Sequence, residues 1–249
     1  MAQSGGKQQA SEGTEAKRRT PGRGGRIAVR LTQPPGSEAD ATPSAGDKNR
    51  PKRRGDDVRE RILTAALECY AAFGFEGTST RAVAERAHVT HTLVLYHFQS
   101  KDQLWIATVE EALKSYAAAM KDNFDTAHER NAREALSTFI EQFVRMSAHH
   151  PEIHRILTME SNQDTDRLQW IIDHFIRGHF TFVRELIRRG QAEGTVRECD
   201  PARLYYLIIG AGGTPFTLKT EYKALTGRDV FAETEILRNI AFIYEIVFI

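Results

Sequence analysis

The chain has 249 residues, 41% hydrophobic and 27% charged, close to the make-up of an ordinary soluble protein and sufficient to bury a core. No apolar run approaches the ~20 residues of a membrane span, the first ten residues hold no signal-peptide stretch, and two cysteines, Cys69 and Cys199, make neither a disulfide framework nor a CxxC zinc pair, so a cytoplasmic protein is expected, with no membrane partner. The net charge of +1 hides an asymmetry: residues 1–55 carry 12 Lys/Arg against 5 Asp/Glu, a net of +7, leaving −6 for 56–249.

Residues 1–55 are rich in Gly, Pro, Ser, Thr, Gln and Arg, with one aliphatic cluster from Ile27 to Leu31. Such a segment buries too little to offset the entropy of ordering it and reads as a disordered basic tail. Its clusters around Arg18 and Arg53 suit touching phosphates without reading sequence, although an inert solvated tail explains the same bias.

From Asp56 the texture changes. Val58, Ile62, Ala65, Ala66, Cys69 and Phe73 recur at helical spacing, with Gly74 and Gly77 ending the run. Thr78, Ser79 and Thr80 offer N-cap hydroxyls to a short helix from Arg81 to Ala87; Thr90 caps a third helix to Phe98, and Ser100 caps a fourth. Val109, Leu113, Tyr116 and Met120 mark the fourth helix; Leu136, Phe139, Ile140 and Phe143 a fifth; Ile153, Ile156 and Leu157 a sixth after Pro151. Leu168 through Ile187 forms one long seventh helix, closed near Gly190. Asp200-Pro201 opens an eighth that runs toward Glu221, and Ile236, Ile240, Ile243 and Val247 stripe the last. The expected fold is all-α: a tail (1–55), a three-helix helix-turn-helix unit (56–104) and a helical domain (105–249).

Within 79–98, Val83, Ala84, Val89, Val94 and Phe98 form a core and leave Thr90, His91, Thr92, Leu95, Tyr96 and His97 outward. Eight residues at ~1.5 Å each span ~12 Å, matching a major groove ~12 Å wide. Hydroxyls and imidazoles can bond base edges or phosphates, and Leu95 can meet a thymine methyl. An ordinary helical hairpin fits the same pattern.

The run GFEGTSTRAVA (74–84) followed by YHFQSKDQL (96–104) resembles the TetR family of bacterial transcriptional repressors, motif by motif over about 57–104. The segment from Asp200-Pro201 through Tyr206, Gly210 and Phe216 to Asp229 is similar to a subgroup of it. The resemblance implies a ligand-binding and dimerisation domain beyond 104, with DNA contacts from Thr80, Arg81, Thr90, His91, Thr92, Leu95, Tyr96, His97 and Lys101. Lys101 corresponds to a phosphate-binding lysine at a helix N-terminus. Three residues depart from the family: His88 stands at a usual glycine of the turn, Thr92 at a usual glycine or proline, and Leu95 at a frequent tyrosine.

Trp170, His174, Phe175, His179, Phe180, Tyr206 and Phe216 are the candidate lining of a pocket for a small, largely apolar effector; plain core packing is the alternative. The i, i+4 pair His150 and His154, with His149 nearby, has metal-ligand spacing but favours a surface or capping role. Gly210, Gly212 and Gly213 follow no strand, so close helix packing or a kink before Pro215 explains them better than a phosphate cradle. No nucleophile motif is present, and neither cofactor nor metal is expected. The reading is a homodimeric, ligand-responsive regulator, a repressor released from a palindromic double-stranded operator by a small molecule. The alternative is an all-α small-molecule-binding enzyme with an incidental hairpin.

Overall fold

The computed structural model describes residues 54–249, so the tail read over 1–55 lies outside the described residues apart from Arg54 and Gly55, which open the first helix. The described chain is all-α: α1 (Arg54–Gly77), α2 (Thr80–Arg86), α3 (His91–Phe98), α4 (Lys101–Thr126), α5 (Ala132–His149), α6 (Pro151–Glu160), α7 (Asp166–Ile171), α8 (Arg177–Ala192), α9 (Pro201–Thr217), α10 (Lys219–Thr226) and α11 (Glu233–Val247). Among the described residues there is no strand, only an isolated bridge between Val196 and Phe248.

Local caps place four of these helix starts. Ser79, Thr90, Ser100 and Asp200 each accept a hydrogen bond from the amide three residues on, at 3.1, 3.3, 3.1 and 2.9 Å, satisfying donors that a helix start leaves orphaned. Gly74 adopts φ 69°, a conformation open to glycine, and kinks α1 shortly before its end.

Two apolar clusters organise the helices. One joins Ile62, Ala66 and Tyr70 of α1 to Val83, Val94, Phe98 and the first half of α4, and also takes in Ile153, Ile156 and Ile171. The other packs Met120 with α5, α8, α9 and α11. Helix α4 therefore runs from one cluster into the other, carrying Leu104 and Leu113 in the first and Met120 in the second.

Several expectations change on packing. Phe73, read as part of the buried stripe of α1, is exposed. The expected single helix from Leu168 to Ile187 contains a π-helical turn at Ile172–Ile176, where the Arg177 amide bonds the Ile172 carbonyl five residues back. The helix expected to run toward Glu221 breaks at Leu218. Pro215 lies inside α9 and cannot donate to the Ala211 carbonyl; the Asn239 side chain of α11 supplies that bond at 3.1 Å. The Ile236, Ile240, Ile243 and Val247 stripe is buried within the protomer, while Leu237 and Phe242, 48% and 54% exposed, occupy the outer side.

Two of the three α9 glycines, Gly212 and Gly213, work by close approach, one of the two explanations read from the sequence, whereas Gly210 faces open space. A Cβ at Gly212 would stand 2.9 Å from Phe143 Cδ1, and one at Gly213 only 2.2 Å from His154 Cε1. His154 thus fills the seam between α6 and α9, where burial pushes its imidazole down in pKa, while His149 Nδ1 lies 2.7 Å from the Arg145 carbonyl.

Candidate nucleic-acid interface

The turn between α2 and α3 is held by three hydrogen bonds. Val89 N–H bonds the Ala84 carbonyl at 3.0 Å, and Arg61 of α1 donates through Nη2 to the carbonyls of Ala87 (2.6 Å) and His88 (3.2 Å). His88 sits at φ 54°, the left-handed conformation that its place at a usual glycine foreshadowed. Val94 and Phe98 lock the inner side of α3 into the core. No sequence pattern marks Arg61 as the residue that pins the turn, because a spacing of 26 residues has no local signature.

With its inner side fixed, α3 directs Thr92, Leu95 and Tyr96 outward. Tyr96 is 79% and Leu95 39% exposed, side by side on the outward side of α3. His97 is half-buried with its ring 5.4 Å from Tyr96. Thr80 Oγ1 and His91 Nε2 are 2.9 Å apart, tying the starts of α2 and α3 together. Thr90 spends one acceptor site on its cap yet stays exposed, and Arg81 is exposed beside Thr80.

Lys101 heads α4, where unpaired amides add to its positive charge. Its Nζ lies 4.2 Å from the Phe75 ring centroid, and its carbonyl accepts from Tyr70 Oη at 3.3 Å. Phe75 also lies 3.8 Å beneath the Arg167 guanidinium, which is 3.2 Å from buried Glu160 and 3.7 Å from Glu76. This junction, absent from the candidates read in the sequence, couples the start of α4 to the α6–α7 corner.

The candidate pocket residues divide. Trp170 contacts Trp105 at 5.7 Å, Phe175 at 5.5 Å and His174 at 4.8 Å, all beside the N-terminal cluster, and exposed His174 bonds the Trp170 carbonyl. Phe216 is buried against Phe231. His179, Phe180 and Tyr206 do come together, joined by Tyr205 of α9, whose ring is 5.0 Å from Phe180 and 5.2 Å from Tyr206. His179 is bracketed by Tyr116 Oη at Nε2 (2.9 Å) and Tyr205 Oη at Nδ1 (3.1 Å), with Phe139 edge-on at 5.0 Å. Burial drives the His179 pKa down to about 4 and pushes both phenols up.

Comparison with known proteins bears on both regions. Residues 62–108 match the family described as bacterial regulatory proteins, tetR family, and residues 133–247 match the tetracyclin repressor-like C-terminal domain. The chain is 32% identical over 162 residues to the regulatory protein RaaS of Mycobacterium tuberculosis, covering 61% of this chain and 67% of that one. It is 26% identical over 172 residues to the transcriptional regulator RutR of Escherichia coli, covering 68% and 78%. The structure of AibR in complex with isovaleryl coenzyme A and operator DNA superposes with a TM-score of 0.60 at 18% identity, over 75% of this chain and 98% of that one.

Proposed function

Because this chain belongs to the TetR family of bacterial helix-turn-helix regulators, a DNA-binding transcriptional regulator rather than an enzyme, we propose that it acts in the cytoplasm as a homodimer that leaves a palindromic operator when a small molecule binds. The observation that carries the DNA-reading assignment is the outward side of α3: Tyr96, Leu95 and Thr92 stand exposed on a helix whose inner side is fixed by Val94 and Phe98. In this reading α3 enters the major groove, Thr80, Arg81 and Lys101 grip phosphates, and Thr90, His91, Thr92, Leu95, Tyr96 and His97 meet bases and the adjoining backbone.

A second copy supplies the matching half-site. Leu237 and Phe242 on α11, with Tyr206 and Leu207 on α9, are apolar groups left at the surface once the protomer core is complete. Packing two such surfaces together removes them from water and sets two recognition helices about one DNA turn, ~34 Å, apart. That the neighbour AibR was captured with both an acyl coenzyme A and operator DNA supports a ligand-responsive reading by analogy of fold.

Fluorescence anisotropy on a palindromic fragment from the region upstream of its own gene tests the proposal. Tyr96→Ala and Lys101→Ala should each weaken binding with helicity and dimer intact, and Lys101→Ala should lower the salt slope by roughly one unit, as loss of one phosphate contact implies. Unchanged affinity and slope in both variants would remove this segment from the DNA.

A further inference from the structure

We propose that Tyr116, His179 and Tyr205 form the polar end of the effector site and select a ligand that presents a hydrogen-bond-accepting oxygen, as a carboxylate or carboxamide, on a small apolar body. The inference rests on the reading of the chain as ligand-responsive and adds the chemical class of the ligand. The three side chains come from α4, α8 and α9, with the imidazole at the centre, 2.9 Å from one hydroxyl and 3.1 Å from the other.

At neutral pH the imidazole is uncharged, since burial holds its pKa near 4, so it has one N–H and one lone pair. Both phenols keep their protons, their pKa values being pushed up by the same burial. Three polar hydrogens therefore serve two contacts. If Nε2 carries the proton, it donates to Tyr116, Tyr205 donates to Nδ1, and the Tyr116 hydroxyl proton has no acceptor. In the other tautomer the surplus proton belongs to Tyr205. Neither hydroxyl bonds any other group among the described residues. A hydroxyl proton without an acceptor is costly, and both contacts are only part-buried, so in either arrangement the surplus proton is available to one acceptor atom from outside the chain.

The surroundings define the rest of the ligand. Phe139 lies 5.0 Å from His179, and Phe180 lies 5.0 Å from Tyr205, giving apolar walls. Arg184 stands 5.2 Å from the Phe180 ring, and its buried Nε–H also lacks an acceptor. Unmatched donors in the tyrosine–histidine cluster and at Arg184 favour an oxygen-bearing ligand and disfavour an ammonium group, which brings only donors. Taking the Tyr116 proton would place the ligand on α4, the helix that begins at Lys101.

The test titrates the full-length protein, with 15N-labelled histidine, with benzoate, benzamide and benzylamine and with octanoate, octanamide and octylamine. Calorimetry reads affinity and the ring nitrogen shifts read the His179 tautomer. At least one acid or amide should bind and fix His179 in a single tautomer, the amines should not, and Tyr116→Phe or Tyr205→Phe should weaken that binding about 10-fold, as expected for one buried hydrogen bond. Acid over amide would add Arg184 to the recognition; equal binding would leave the tyrosines as the whole of it, and both outcomes support the proposal. Amines binding as well as their oxygen-bearing partners would overturn it. So would equal binding by both phenylalanine variants, or unmoved histidine shifts with no acid or amide bound, which would leave water as the partner of the surplus hydroxyl. Operator release is followed in parallel. Binding at the cluster that leaves operator affinity unchanged counts against ligand response alone, whereas release unaffected by either tyrosine variant counts against this inference alone.

Discussion

Replacing His88 with glycine should stabilise the protein while leaving its DNA affinity unchanged. His88 occupies φ 54° at the centre of the α2–α3 turn, where a left-handed backbone costs an L-residue roughly 1–2 kcal/mol. Glycine avoids that strain, and its greater freedom in the unfolded chain takes back about 0.5–1 kcal/mol. The net gain is about 1 kcal/mol, or roughly 2–4 °C in Tm for a chain of this size. The turn keeps its anchors, because Arg61 bonds the carbonyls of Ala87 and His88 rather than the imidazole. His88→Val should move the other way, since a β-branched residue fits positive φ worst. Differential scanning calorimetry of the three proteins, with operator anisotropy alongside, makes the comparison. A lower Tm in His88→Gly would show that the imidazole contributes more than its backbone strain removes, and the account of this turn would fail.

Three further outcomes follow from the packing. Gly213→Ala should cost about 1–3 kcal/mol by urea denaturation, because its Cβ would meet the His154 ring, and most of that loss should vanish in a His154→Ala background; equal losses in both would refute the contact. Stability should fall as the pH drops from 6.5 toward 4, by up to about 3 kcal/mol, since unfolded His179 binds a proton near 6.5 and the folded state resists it down to about 4; urea unfolding across that window should show a shallower loss in His179→Phe, and an unchanged profile would contradict the burial argument. Phe242→Glu and Leu237→Glu should give helical monomers in sedimentation velocity, whereas Ile240→Glu, aimed into the protomer core, should unfold; persistent dimers in both surface variants would place the interface elsewhere.

What could be read from the sequence was local. Ser79, Thr90, Ser100 and Asp200 were legible as caps because each bonds an amide three residues away, within the reach of a motif. The inner side of α3 was legible because Val94 and Phe98 repeat at helical spacing, and His88 announced its strained turn by standing at a usual glycine. The rest depended on partners distant along the chain. The bond from Asn239 to Ala211 across α9 and α11, the π-turn after Ile171, and the approach of Tyr116 and Tyr205 to His179 leave no periodic trace. Helix α11 shows the limit most directly: it has apolar groups on two sides, and the pattern alone could not say that Ile240 faces the protomer core while Phe242 faces outward.

The claim that the surface from Thr80 to Lys101 reads a two-fold operator is tested most directly by selecting bound sequences from a random DNA pool with the wild type and with Tyr96→Ala. The account predicts that the wild type enriches one inverted repeat with half-sites about one helical turn apart, and that Tyr96→Ala loses or relaxes the preference while staying folded and dimeric. Enrichment of no common sequence by the wild type, or of the same repeat with undiminished strength by Tyr96→Ala, would contradict it.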